Sequence, residues 1–282
     1  MAVRTLSGVV LVAAVAAAVL FSPYTFALLV AVICVGTMRE FYRLAEAKNY
    51  SPLKWYGIAL GLILLAANFF LAARCRECPS AGYLFTLLML LAFTLFFVEL
   101  YRQKGDPIAN IGATLLGVIY IALPLSLFFH IAAAGIAGTA CTTGCTYTIA
   151  YNPAVVLAYF AMIWMNDIGA YVVGISIGRH RLFERISPKK SWEGFFGGLV
   201  FGTATGVLAG HLLGANLLFW AGFAVVASLG GVAGDLVESM FKRSAGTKDS
   251  GSMIPGHGGF LDRFDALVFS LPFVFIYFIT FA

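Results

Sequence analysis

Residues 153–177 read PAVVLAYFAMIWMNDIGAYVVGISI, and a lone charged side chain, Asp167, interrupts the run. About 20 consecutive apolar residues in a helix suffice to cross a bilayer core. A stretch this long and apolar belongs in lipid, and the acid inside it needs a partner or a task. The same texture extends in both directions. Further candidate spans cover 5–21, 25–37, 54–72, 82–100, 109–133, 192–213, 215–240 and 261–281, making nine. The first two are parted only by Ser22-Pro23-Tyr24 and read as a short helical hairpin or one kinked helix. The apolar run after Arg4 has the outline of a signal peptide, but a multispanning chain keeps such a segment as its first anchor.

Composition agrees. Of 282 residues, 61% are hydrophobic and 11% charged, against about 45–50% and about 25% in soluble domains. There is too little polar surface to coat a globule in water. The expected fold is all-α, a polytopic membrane protein without a separate soluble domain.

The basic residues set the orientation. With the N-terminus inside and nine spans, only Arg74 and Arg76 of the 18 Lys and Arg residues fall outside. The other sixteen collect on the inner side, and the connection from Gly135 to Asn152 carries no charge, as an outer loop should. The C-terminus then lies outside. This asymmetry explains the net charge of +5 without nucleic acid as a partner. Cys75, Cys78, Cys141 and Cys145 fall in outer loops, the oxidising side in most bacteria, which favours one or two disulfides over free thiols or metal binding.

In the seventh span Gly194, Gly198, Gly202, Gly206, Gly210 and Gly214 recur every fourth residue, and Gly230 and Gly234 repeat the interval in the eighth. Such spacing strips one helix face to backbone and lets a neighbour approach closely. Helix packing is the simplest reading.

The acids carry the chemistry. Counted inward at about 1.5 Å per residue, Asp167 lies roughly 21 Å from the outer surface, in the inner half. Asp235 and Glu238 lie near the inner end of the eighth span, and Asp262, Arg263 and Asp265 open the ninth. An Asp or Arg at the bilayer centre costs about 2.5–3.5 kcal/mol on insertion scales, so such groups face a polar cavity and have partners. One ion pair, such as Arg263 with Asp167, would be merely structural. The other four acids have no internal cation nearby, and their convergence fits a metal site better.

Asp235, Glu238 and Ser239 share a helix face, with Lys242 one turn beyond Glu238. Between the last two spans runs Lys248-Asp249-Ser250-Gly251-Ser252-Met253-Ile254-Pro255-Gly256-His257-Gly258-Gly259. Its glycines and proline bar a regular helix and expose backbone N–H groups, and it leads into a helix N-terminus that favours anions. Lys242, Arg243, Lys248 and Arg263 surround it. Carboxylates, bare donors and cations together suggest phosphate chemistry assisted by Mg²⁺. No GxxxxGK[ST] is present, which excludes a P-loop. The inner loop Ser187-Pro188-Lys189-Lys190-Ser191 adds lysines beside hydroxyls, as phosphate binder or as charged anchor. His257 reads as ligand, phosphate donor or turn residue; His130, His180 and His211 read as structural.

The run from Ser239 through Lys242-Arg243, Lys248-Asp249, Gly251, Pro255-Gly256-His257-Gly258-Gly259, Asp262-Arg263 and Asp265 resembles the signature of the phosphatidate cytidylyltransferases, the CDP-diacylglycerol synthases. Asp167-x-Gly169-Ala170-Tyr171-x-x-Gly174 and Ile186-Ser187-Pro188-Lys189-Lys190-Ser191-x-Glu193-Gly194 resemble its other blocks. The match covers roughly residues 160–270; the outer cysteine pairs are not part of it. The resemblance implies that CTP and phosphatidic acid yield CDP-diacylglycerol and pyrophosphate, with Mg²⁺ required and room for a second cation, in a homodimer of nine-helix chains in the cytoplasmic membrane. Residues 1–150 would then be N-terminal transmembrane helices and 151–282 the catalytic region of one continuous membrane domain. On this expectation Asp235 and Asp262 bind metal, and Asp265, Asp249 and Asp167 complete or orient the shell. Lys242, Arg243, Lys248 and Arg263 hold phosphates with the amides of Gly256, Gly258 and Gly259. Ser239 and His257 line the same substrate site, and Ser187, Lys189, Lys190 and Ser191 gather the lipid phosphate or close over CTP. A CTP-dependent polyprenol or phytol kinase and an ion transporter are the rivals. The transporter is disfavoured because the last four spans carry no acid in their outer half.

Overall fold

The computed structural model describes residues 2–72, 80–102, 104–133, 151–247, 250–251 and 258–281. Among them are nine helices and one small hairpin. They run α1 (Ala2–Phe21), α2 (Pro23–Glu46), α3 (Lys54–Ala72), α4 (Ser80–Arg102), α5 (Pro107–Ala133) and α6 (Pro153–Ile177). The hairpin strands β1 (Arg181–Phe183) and β2 (Ser187–Ser191) follow, then α7 (Trp192–Leu212), α8 (Leu217–Ser244) and α9 (Leu261–Phe281). Seven of these, α2, α3 and α5 to α9, are long and apolar enough to cross a membrane. The cysteines expected in outer loops lie outside the described residues, and Cys34 is buried in α2.

Local sequence starts the helices where a polar cap precedes proline. Ser22 before Pro23, Asp106 before Pro107 and Asn152 before Pro153 each accept hydrogen bonds from first-turn amides. Ser22 is extended and completes a capping box with Thr25, so α1 and α2 are two separate helices. In α5 the turn Val118–Ala122 widens to a π-helix just ahead of Pro124, whose ring disturbs the carbonyl four residues back, at Tyr120.

Two boundaries differ from expectation. The second helix does not end at residue 37 but continues to Glu46, because Val30, Ile33, Cys34, Met38, Phe41, Tyr42 and Leu44 keep one face buried. The Ser187–Ser191 segment is not an open loop but a strand of an antiparallel pair. Glu193 secures it by accepting from the Arg179 amide at 3.1 Å and meeting His180 Nδ1 at 2.6 Å. His130 likewise has a structural partner, Asn68 Oδ1, at 3.0 Å.

The glycine stripe of α7 is buried and serves two neighbours. A β-carbon at Gly194 would fall 2.8 Å from the Ala170 carbonyl oxygen of α6, and one at Gly198 2.7 Å from that of Asn166. Farther along, β-carbons at Gly206 and Gly210 would meet Trp220 of α8 at 2.7 and 2.8 Å. In α8 itself, Gly230 lies on Ser270 of α9 and Gly234 on the Asp265 carbonyl, each too close for a side chain. The α8–α9 pair is therefore in close backbone contact just where the acids begin. The apolar core joins both halves of the chain, from Val30, Ile33 and Tyr42 to Tyr159, Trp220, Phe264 and Val268.

Candidate active site

Helix α8 presents Asp235, Glu238, Ser239 and Lys242 on one face, as the spacing requires. Ser239 Oγ donates to Asp235 Oδ1 at 3.3 Å. Lys242 Nζ lies 2.6 Å from Glu238 Oε2 and 2.7 Å from Asp262 Oδ1, bridging the two helices. From the hairpin, Lys190 Nζ reaches Asp235 Oδ2 at 2.6 Å. The acids expected to have no nearby cation thus have two. Lys242 was visible as the i+4 neighbour of Glu238, whereas Lys190 arrives from an element far in sequence.

Asp262 is more heavily engaged than the other acids. Beyond Lys242, its Oδ2 accepts from the amides of Ser250 at 3.3 Å and Gly259 at 2.9 Å. Gly258 has φ +83°, a conformation that favours glycine, and this turn lays the chain against the carboxylate. Asp265 is buried one turn further into α9, where its Oδ1 accepts from the Ala266 amide at 2.7 Å. Asp167 of α6 lies within electrostatic reach of Asp235, Lys190 and Arg263, and Asp265 feels both Asp235 and Asp167.

The group best placed for a cation is Asp235, Glu238 and Asp265, whose nearest carboxylate oxygens lie within 4.8 Å of one another. Glu238 Oε1 is buried and has no hydrogen-bond partner among the described residues. An all-oxygen donor set with one unsatisfied buried oxygen fits a hard divalent ion such as Mg²⁺. Asp262, expected as a ligand, stands beside this group and shares Lys242 with Glu238, and Glu238 takes a more central place than expected.

The other expected residues divide. Ser191 Oγ accepts from the Gly194 amide at 3.1 Å as the N-cap of α7. Arg243 Nε donates to the Ile186 carbonyl at 3.5 Å, tying α8 to the hairpin. Ser187 and Lys189 lie on that hairpin, with Lys189 exposed, and Arg263 is exposed at the start of α9. Lys248, Asp249, Gly256 and His257 lie outside the described residues.

Two participants were not foreseen. Glu40 of α2 is 1% exposed and accepts from Ser250 Oγ and the Leu261 amide. Tyr120, in the π-turn of α5, has a buried hydroxyl without a partner among the described residues, within electrostatic reach of Asp265 and Glu238. The sequence signal for Glu40 was an acid continuing the apolar period of α2. Nothing local marked Tyr120.

A family profile described as the cytidylyltransferase family matches residues 2–281. The chain belongs to the cytidylyltransferase family. A Synechocystis protein named phosphatidate cytidylyltransferase is 32% identical over 303 aligned positions, covering 97% of this chain and 95% of the relative. Proteins of the same name from Staphylococcus haemolyticus and Staphylococcus aureus are 45% identical over 119 residues, 42% of this chain. That shorter match spans 46% of the staphylococcal proteins' length. The whole-length match includes α2 and α5, which supply Glu40 and Tyr120.

Proposed function

We propose that the protein transfers CMP from CTP to phosphatidic acid, giving CDP-diacylglycerol and pyrophosphate. The observation that carries this reading is the carboxylate group Asp235, Glu238 and Asp265 set between Lys190 and Lys242 at one end of apolar helices. A phosphate oxygen of the lipid forms the new bond to the α-phosphorus of CTP. The bond from that phosphorus to the bridging oxygen breaks, and pyrophosphate leaves with the electron pair. The nucleophile is already an anion, so no strong general base is required.

The difficulty is bringing two polyanions together, so positioning and electrostatics carry catalysis. Asp235, Glu238 and Asp265 would hold Mg²⁺, with Asp262 and Asp167 beside them, and the same acids would accommodate a second cation. When bound, Mg²⁺ neutralises triphosphate charge and the charge developing on the leaving group. Lys190 and Lys242, aimed by their carboxylate partners, meet the phosphates. The Gly258 backbone, at φ +83°, approaches closely because no side chain intervenes. Lys189 and Ser187 on the exposed hairpin gather the lipid headgroup. This end of the bundle faces the cytoplasm, the source of CTP, with the chain in the cytoplasmic membrane as a homodimer. The positive-inside asymmetry supports the orientation, and the family resemblance supports the dimer.

The test uses purified protein in micelles with phosphatidic acid, Mg²⁺ and CTP labelled in the cytidine. Label entering the lipid with stoichiometric pyrophosphate is expected. Release of CDP with a phosphorylated acceptor would make the protein a kinase and overturn the reading.

A further inference from the structure

Glu40 lies near the end of α2, some two hundred residues before the signature block. Its Oε2 accepts two hydrogen bonds, from Ser250 Oγ at 3.0 Å and from the Leu261 amide at 2.8 Å. Neither donor belongs to its own helix. The Leu261 amide is among the first of α9, which that helix cannot satisfy internally, so a carboxylate from another helix caps it at its positive end. Ser250, held by Glu40, in turn holds Asp262: its amide donates to Asp262 Oδ2, as does the amide of Gly259, two residues before Leu261.

The surrounding packing is built around this carboxylate. A β-carbon at Gly251 or Gly259 would collide with the Glu40 carboxylate itself. One turn earlier in α2, Gly36 leaves room for the Phe260 ring, and a β-carbon there would lie 2.8 Å from Cγ of that ring. Burying a carboxylate is costly unless it is paired or hydrogen-bonded, and both bonds of Glu40 Oε2 go to the chain segments flanking Asp262.

We infer that Glu40 is a positioning residue for CMP transfer: it fixes Ser250 and the start of α9 so that Asp262 and its partner Lys242 stay in register with the acids that would hold the metal. It touches neither substrate. The inference rests on the role given to Asp262 above. The residue is also placed so that the amino-terminal half of the chain governs geometry in the carboxy-terminal half.

The test compares Glu40→Ala, Glu40→Gln and Asp262→Asn in the full-length protein in micelles, with kinetic constants referred to folded enzyme. A misplacement of about 1 Å costs on the order of 100-fold in turnover. Glu40→Ala should lose about that much in kcat/KM for CTP, with the KM for phosphatidic acid unchanged. Glu40→Gln keeps an acceptor oxygen at the same reach and should recover most of the loss. A Glu40→Ala enzyme of lower melting temperature but normal kcat and KM would overturn the assignment, as would a well-folded Gln variant as impaired as Ala. If Glu40→Ala does not fold, Ser250→Ala removes one of the two bonds: a raised KM for CTP supports the assignment, and unchanged constants refute it. Normal turnover by Asp262→Asn would instead sink the role of Asp262, whatever the Glu40 variants do.

Discussion

Gly234→Ala adds one methyl group at the place where α8 and α9 come closest beside the acids. Its β-carbon would fall 2.6 Å from the Asp265 carbonyl oxygen and 2.7 Å from Phe269 Cβ. Carbon atoms settle about 3.5–4.0 Å apart, so the helices must part by roughly 1 Å. Overpacking of this kind costs about 1–3 kcal/mol. The larger effect falls on catalysis. Asp235 is the next residue, and the carboxylate oxygens of Asp235, Glu238 and Asp265 lie within 4.8 Å of one another. A parting of about 1 Å across that group should lower kcat/KM about 100-fold, in protein that remains folded. Gly112→Ala is the control, since nothing lies within 4 Å of a β-carbon there. As a helix-interior change it should be neutral or stabilising by up to about 1 kcal/mol. The assay is CMP transfer at saturating Mg²⁺ beside thermal unfolding in the same micelles. A Gly234→Ala enzyme with wild-type turnover and melting temperature would show that the α8–α9 contact does not set the site.

Lys242→Met should be the most destabilising single change at the site. It leaves Glu238, whose side chain is 1% exposed, and Asp262, at 15%, without their shared cation. Breaking a buried pair costs about 3–5 kcal/mol, to be read from thermal unfolding. Ser191→Ala removes the N-cap of α7 and should cost about 1 kcal/mol, also read from thermal unfolding. Asp235→Asn should shift the Mg²⁺ activation curve for turnover to higher concentration, and a chelator should abolish activity that added Mg²⁺ restores. An unshifted curve would separate Asp235 from the metal.

Much of this was legible in the sequence because membrane helices carry long periodic signals. The apolar run around Asp167 gives α6 directly, and the four-residue glycine interval gives the packed face of α7. Within one helix the site was legible too: Asp235, Glu238, Ser239 and Lys242 share a face for simple geometric reasons. What was hidden depends on where different elements meet. Lys190 finds Asp235 only because residues 181–191 fold back as a hairpin, and short strands leave little periodicity to read. Glu40 was missed because its helix was ended at the first charges, although the buried face continued past them. Tyr120 owes its place to a widened turn ahead of Pro124, which shifts the helical register locally.

The bare face of α7 has a further consequence. Each glycine in a helix interior costs up to about 1 kcal/mol relative to alanine in water, and α7 buries five of them at Gly194, Gly198, Gly202, Gly206 and Gly210. In hydrocarbon an unsatisfied backbone group is far more expensive, so the helix is enforced by its solvent rather than by its own residues. Outside lipid that enforcement lapses, and α7 becomes the element whose amides should exchange first as a detergent admits water. Since Ser191 and Glu193 anchor the hairpin to its first turn, loosening α7 would carry Lys190 away from Asp235. The solvent around this protein is then a participant in the geometry of its candidate site, and the choice of amphiphile should set how much of that geometry an activity assay samples.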